Sequence, residues 1–406
     1  MDSKKEAIKA LAKEAALMPQ EEMLEVGKKH QKLTIGIPRE TSFQERRVAL
    51  VPEAVSVLVG RGHEVLVETN AGEDSNFHDR DYSEAGATIV YDTKEIFESN
   101  IIFKVAPPSV EEVEMMPGKQ TLFSALQLTV QPKDTLQLMM KKKITAVAWD
   151  YIQDETNIYP VVRAMGEIAG NTSVLIAAEY LSNANHGQGM MFGGISGVRP
   201  TEVVILGAGT VGEFATRAAL GLGANVKLFD NSIYKMRRMQ NDLGCRLWTS
   251  TIQPEELKKA IRDADVVIGA LRAPYGRTPC VVTEEMVSAM KYGSVIVDIS
   301  IDQGGCFETS RIRNHDDPIY KEYGVIHYCV PNVASRVSRT ASYALSNIFG
   351  PILISIGDEG GVTNAIRKHK GLRHGVYMYN GTLTSEVIGE AFDLPYKKLD
   401  LLIAAF

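Results

Sequence analysis

Between residues 33 and 150 the chain alternates short, wholly apolar runs with stretches of helical spacing. Leu33-Ile37, Val65-Glu68, Ile101-Val105, Thr121-Phe123 and Ile144-Ala148 are rich in β-branched and aromatic residues and carry few polar positions, the signature of strands covered on both faces. Helical stretches are predicted after Pro52, near Ala85 and around Leu136-Lys142. The same rhythm resumes past residue 200 with Val203-Leu206, Val226-Phe229, Val266-Gly269, Val295-Asp298 and Val325-Cys329, and with a small-residue helix from Glu213 to Leu222. Strands alternating with helices predict parallel sheets, hence two doubly wound α/β domains. Two longer helical stretches, from Pro160 to Asn183 and from Thr340 to Gly357, fall where the chain would cross between the domains. The second domain, 160–334, is therefore expected as an insertion in a discontinuous first domain made of 33–159 and 335–406. In residues 1–32, Ile8, Leu11, Ala12 and Ala15 recur at helical spacing, which predicts a helical extension packed on the main body or on a neighbouring subunit.

Composition narrows the class. The 406 residues are 45% hydrophobic and 23% charged, with a net charge of −6. That is enough chain for two ordinary domains, and it offers no basic field for a nucleic-acid partner. The one basic run, Lys141-Lys142-Lys143, reads as a solvated helix end before a strand. Cys245, Cys280, Cys306 and Cys329 show no C-x-x-C spacing, so neither a metal site nor a disulfide framework is expected and a reducing compartment fits. No apolar run approaches the roughly 20 residues that span a bilayer, and residues 1–31 mix lysine with glutamate. The expectation is a cytoplasmic protein without a membrane partner.

The most specific signal follows the first strand of the second domain. Val203-Leu206 feeds Gly207-Ala208-Gly209-Thr210-Val211-Gly212, a helix follows, and Val226-Phe229 ends at Asp230, eighteen residues past the last glycine. This is a Rossmann-type dinucleotide-binding unit: Gly207 for the tight turn, Gly209 for backbone approach to a pyrophosphate, Gly212 for close helix packing. The helix N-terminus then faces the phosphates. Asp230 would accept hydrogen bonds from both ribose hydroxyls and would repel a 2′-phosphate, which favours NAD over NADP. Lys235, Arg237 and Arg238 lie nearby.

Further candidates stand at strand ends. The loop Gly269 to Pro274 could hold part of the cofactor. Asp298 and Asp302 could serve as a general acid or base, or could cap turns. Asn332 could hold a carboxamide or form a turn beside Pro331. Arg47, before the apolar run Val48-Ala49-Leu50, could clamp a carboxylate. Lys104 ends a strand, where it could be catalytic or could snorkel to solvent.

Taken with Gly36-Ile37-Pro38-Arg39-Glu40-Thr41, Gly62-His63-Glu64-Val65, Ala71-Gly72-Glu73, Lys104-Val105, Glu167-Ile168-Ala169-Gly170, Gly193-Gly194-Ile195-Ser196-Gly197-Val198 and Ile301-Asp302-Gln303-Gly304-Gly305-Cys306-Phe307-Glu308, these residues give a chain that resembles one family from Leu33 to Leu402. It is that of the alanine dehydrogenases and the N-terminal soluble part of proton-translocating nicotinamide nucleotide transhydrogenases. The short link between Phe229 and Val266 is similar to the dehydrogenase branch. The resemblance implies that Arg47 holds the substrate carboxylate and that Asp302 does acid/base chemistry near the nicotinamide. It also places Gly207, Ala208, Gly209, Thr210, Val211, Gly212 and Asp230 on NAD, with Leu271, Asp302 and Asn332 near the nicotinamide ribose. The implied reaction is oxidative deamination of L-alanine to pyruvate and ammonia by hydride transfer from C2. Homo-oligomers, dimers or hexamers, are implied too.

Two positions depart from the family. Ala106 stands where a second lysine is expected, and Gln127 where a histidine is expected. Those family residues contact the substrate and carry proton transfer, so the substrate site is partly rewritten. Lys104 and Gln127, with Asp302, are the residues left to compensate. Two alternatives follow: a dehydrogenase for a bulkier amino or imino acid, for which Ala106 opens space, or a catalytically weak NAD-binding sensor.

Overall fold

The computed structural model describes residues 31–126, 132–273 and 276–404. Residues 1–30, which carry most of the expected N-terminal helix, and Gln127 lie outside them. The first sheet contains β1 (Thr34–Ile37), β2 (Glu64–Glu68), β3 (Thr88–Val90), β4 (Ile101–Phe103), β5 (Thr121–Ser124) and β6 (Thr145–Ala148). The second contains β7 (Glu202–Leu206), β8 (Asn225–Phe229), β9 (Trp248–Ser250), β10 (Val266–Gly269), β11 (Val295–Asp298), β12 (Ile319–Glu322) and β13 (Val325–Tyr328). The chain then returns to the first sheet with β14 (Val376–Tyr379) and β15 (Thr382–Leu383).

Both sheets use the same winding. The first runs β3-β2-β1-β4-β5-β6 in parallel, then adds β14 and β15 antiparallel to their neighbours; the second runs β9-β8-β7-β10-β11-β13 in parallel, with β12 antiparallel at its edge. Each core is split by its sheet, as all-apolar strands require. Ile35, Val65, Ile101, Phe103 and Phe123 face one side of the first sheet, while Ile102, Leu122 and Ala146 face the other. In the second sheet Val203, Ile205 and Ile268 are on one side and Val204, Leu206 and Val267 on the other. In both sheets the winding reverses between two central strands, β1/β4 and β7/β10, which opens a crevice at their carboxyl ends.

Two long helices join the halves. Pro160–Leu181 starts with proline in its first turn, where the missing N–H costs nothing. Its Gly170 packs directly against the helix Thr210–Gly221: a side chain there would sit 2.9 Å from the Ala215 amide. The return helix is Ser338–Asp358, and the helical span Val333–Asp358 that includes it is long and apolar enough to cross a bilayer by length and composition. Instead it buries Leu345, Phe349, Leu353 and Ile356 in the first sheet's core.

Several short elements were not expected from the apolar runs. β3 and β9 are three-residue edge strands, too short to show a period. β14 and β15 form a hairpin turned by Asn380 (φ 45°) and Gly381 (φ 76°), the residue pair that favours a two-residue turn.

Candidate active site

The glycine turn has the geometry its sequence requires. Gly207 adopts φ +113°, and a side chain on it would lie 2.5 Å from the Ala270 carbonyl. At Gly212 a Cβ would collide with the Gly207 carbonyl, whereas beside Gly209 there is open space. The helix begins at Thr210, three residues earlier than expected, and no side chain caps it, so its first amides remain available to an anion. Asp230 is buried at the end of β8; its carboxylate accepts from the Ala208 amide at 2.7 Å and the Ser232 amide at 2.6 Å. The acid is thereby fixed against the turn. Leu271 follows β10, and its carbonyl accepts from the Ser300 hydroxyl at 2.8 Å.

The two aspartates after β11 divide the roles left open by the sequence. Asp298 is fully buried and accepts from Ser310 Oγ at 2.6 Å and from the amides of Ser300 and Cys306 at 3.0 and 3.1 Å. Burial lifts its carboxyl to about 6 against these bonds, and its place is that of a turn cap. Asp302 is water-accessible, yet protein surrounds it closely enough that desolvation raises its carboxyl above the usual aspartate range. The Asn332 amide, 3.1 Å from Oδ1, and the charge of Arg47 oppose that shift. Asn332 is left-handed at φ 53° and links the halves: its side-chain amide donates to Glu45 Oε2 at 3.0 Å.

Arg47 is placed by serines of the return segment. The amides of Arg46, Val48 and Val51 donate to the hydroxyls of Ser335, Ser342 and Ser346, the last two one helical turn apart. Its guanidinium makes a bidentate pair with Glu45, with Nε to Oε1 at 2.7 Å and Nη2 to Oε2 at 2.6 Å, and both residues are buried. Nη1 lies 3.4 Å from Met165 Sδ of the bridging helix. Desolvation works to raise the Glu45 carboxyl, but the Arg47 charge prevails and holds it below the usual range.

Lys104 does not snorkel. It follows β4, a strand with neighbours on both sides, and is 1% exposed. Its ammonium sits 2.8 Å from Glu112 Oε2 and 3.6 Å from Glu40 Oε2. Glu40 also accepts from the amides of Val105 and Ala106, the latter at 3.2 Å. Desolvation raises its carboxyl to about 7 in spite of Lys104. Asp150, after β6, accepts from the Leu126 amide at 3.2 Å; burial raises it to about 6, and Arg272 from the second sheet's crevice loop lowers it in part. Glu40, Glu45, Glu112 and Asp150 were not among the sequence candidates. Burial of those acids is set by tertiary packing, and only the capping-box spacing Ser109-x-x-Glu112 is legible locally.

A glycine turn on one doubly wound sheet, faced across a crevice by a buried arginine on another, defines the class: a two-domain α/β protein of the dinucleotide-binding oxidoreductase type. The chain belongs to the alanine dehydrogenase/PNT family. The family models described as "Alanine dehydrogenase/PNT, N-terminal domain" and "Alanine dehydrogenase/PNT, C-terminal domain" match residues 36–169 and 173–386. The chain is 39% identical over 365 residues to a protein of Mycolicibacterium smegmatis named alanine dehydrogenase, covering 90% of this chain and 98% of that one. It is 38% identical over 369 residues to alanine dehydrogenase 2 of Staphylococcus aureus, covering 91% and 99%. A solved structure of L-alanine dehydrogenase superimposes with a TM-score of 0.84 at 34% identity, over 89% of this chain and 99% of that one. The transhydrogenase from Sinorhizobium meliloti, at 24% identity and a TM-score of 0.73, covering 87% and 99%, shares the fold.

Proposed function

We propose that the protein is an NAD-dependent alanine dehydrogenase, converting L-alanine, NAD and water to pyruvate, ammonia and NADH. The observation that carries this reading is the convergence of Arg47 and Asp302 on one crevice, beside the glycine turn. Residues 33–159 with 335–406 form its substrate domain and 160–334 its dinucleotide domain.

The chain fits the dinucleotide: open space at Gly209, an uncapped helix at Thr210 and a fixed carboxylate at Asp230 match a pyrophosphate and a ribose diol. Gly207 through Gly212 and Asp230 hold it, with Leu271, Asp302 and Asn332 toward the nicotinamide. When bound, it supplies the acceptor for the hydride that leaves C2 of the amino acid. Arg47 binds the substrate carboxylate with its outer N–H groups while Glu45 holds its orientation. Asp302 takes the proton of the water that adds to the iminium carbon and returns it as ammonia leaves. Lys104 is assigned a supporting catalytic role from within its ion cluster, where its charge is balanced by Glu112 and shared with Glu40 beside Ala106. Gln127 is assigned to substrate positioning, since an amide cannot shuttle a proton near neutrality.

Four unpaired cysteines support a cytoplasmic setting. The exposed side chains of Leu175, Met191, Ile195 and Val198 support a homo-oligomer, dimer or hexamer. The test is NADH oxidation by the purified protein with ammonium and a panel of 2-oxo acids. Turnover led by pyruvate upholds the reading. Turnover only with larger oxo acids assigns a bulkier substrate, and tight NADH binding without turnover assigns a sensor.

A further inference from the structure

At the amino ends of β5 and β6, opposite the crevice, the chain gathers cations around two adjoining hollows of about 380 and 320 Å³ that share Lys119 and Lys143. Lys141, Lys142 and Lys143 come from the end of the helix Lys133–Lys141, Lys119 from the turn before β5, and Arg367 from the last turn of the helix Val362–Lys368. No carboxylate lines either hollow.

Lys142 is accounted for, because its ammonium donates to the carbonyls of Glu114 and Met116 at 2.6 Å. Lys119, Lys141, Lys143 and Arg367 have no ion pair or side-chain hydrogen bond among the described residues. A helix dipole favours a cation or two at its carboxyl end, which leaves most of this charge unexplained. Backbone geometry adds a second observation. Lys119 (φ 61°) and Lys143 (φ 55°) occupy the left-handed region, where glycine is the unstrained residue. Two lysines thus stand at a conformational cost in positions that line the same hollow.

We propose that this basal hollow is a binding site for a compact polyphosphate, the triphosphate group of a nucleotide or free triphosphate. Such a group carries about four negative charges at neutral pH, one per phosphate and a second on the last. Those match the four unpaired cations spread over the two adjoining hollows, Lys119 and Lys143 in both, Lys141 in the first and Arg367 in the second. Thr145, Thr363 and Asn380 add neutral donors at the rim. An extended nucleic acid needs a basic track, and the net charge of −6 provides none. Four residues of strand, roughly 13 Å at about 3.3 Å each, separate the hollow from the loops at the crevice.

The test is calorimetric titration of the full chain, saturated with NADH, with tripolyphosphate and separately with ATP at low salt. One molecule binds per chain, and affinity falls about tenfold or more in Lys119→Gly/Lys143→Gly/Arg367→Gln. NADH affinity stays unchanged and the thermal midpoint does not fall, because glycine relaxes both turns. Equal affinity for the two probes assigns the phosphates alone, and tighter ATP adds the nucleoside. Absence of binding, undiminished binding to the variant, competition with NADH, or an equal response to sulfate at matched ionic strength overturns the proposal. Should the triple variant fail to fold, Lys143→Gly and Arg367→Gln are read singly, and each weakens binding or the proposal fails.

Discussion

Glu45 and Arg47, two residues apart and both buried, form a bidentate ion pair with bonds of 2.7 and 2.6 Å. The pair uses the Nε and Nη2 edge of the guanidinium, while Nη1 faces Met165 Sδ at 3.4 Å. Removing one partner of a buried pair strands the other charge, so Glu45→Ala costs about 3–5 kcal/mol of stability. Urea unfolding measures this. Glu45→Leu/Arg47→Met recovers most of the loss while amino-acid turnover disappears, because the pair serves binding more than folding.

Glu40 makes stability depend on pH. Its folded carboxyl titrates at about 7 against an ordinary value of 4.5, so the folded chain holds the proton more tightly than the unfolded chain. The sign follows: the contribution is favourable at low pH and is lost as pH rises from about 4.5 to about 7. Relative to the wild type, Glu40→Gln therefore gains about 2–3 kcal/mol between pH 4.5 and pH 8. Denaturation of both proteins across that range checks it, and parallel curves would contradict the assignment.

Asp302 is the proposed acid/base group, with Asn332 and Arg47 holding down a carboxyl that desolvation pushes up. Asp302→Asn keeps the acceptor for the Asn332 amide but cannot move a proton. Turnover falls on the order of 10²–10⁴-fold with NADH affinity changed only a few-fold. Steady-state rates alongside fluorescence titration separate the two.

Asp230 accepts from the Ala208 and Ser232 amides, so its substitution strands two backbone donors of the glycine turn as well as removing the proposed ribose contact. Asp230→Ala loses charge-assisted bonds worth about 1.5–3 kcal/mol, a rise of roughly 10–100-fold in the NADH dissociation constant. The discrimination against NADPH narrows as well. An unchanged preference would place the specificity elsewhere.

Central and edge strands differ in how far the chain alone reveals them. Long β-branched runs such as Val203-Leu206 and Val295-Asp298 coincide with strands because both sheet faces are covered and no polar position interrupts them. Edge strands of three residues, such as Trp248–Ser250, carry too few positions for a pattern. The glycine turn was legible for the same local reason: its chemistry is consecutive in sequence. Glu40, Glu45 and Asp150 were not. Each becomes unusual only when Lys104, Arg47 or Leu126 arrives from another element or folds back upon it. Lys104 shows the converse, since a strand-end lysine snorkels only when its strand lies near an edge, and β4 is central.

An alanine dehydrogenase must take its hydride from C2 of L-alanine and deliver it to NAD. Incubation of the protein with C2-deuterated L-alanine and NAD, followed by mass analysis of the reduced dinucleotide, is predicted to give NADH carrying the deuterium, formed on the order of 10²–10⁴-fold more slowly but still labelled when Asp302→Asn replaces the wild type. Reduced dinucleotide without deuterium, or none formed with L-alanine while a larger amino acid supports it, would contradict an alanine dehydrogenase built on Arg47 and Asp302.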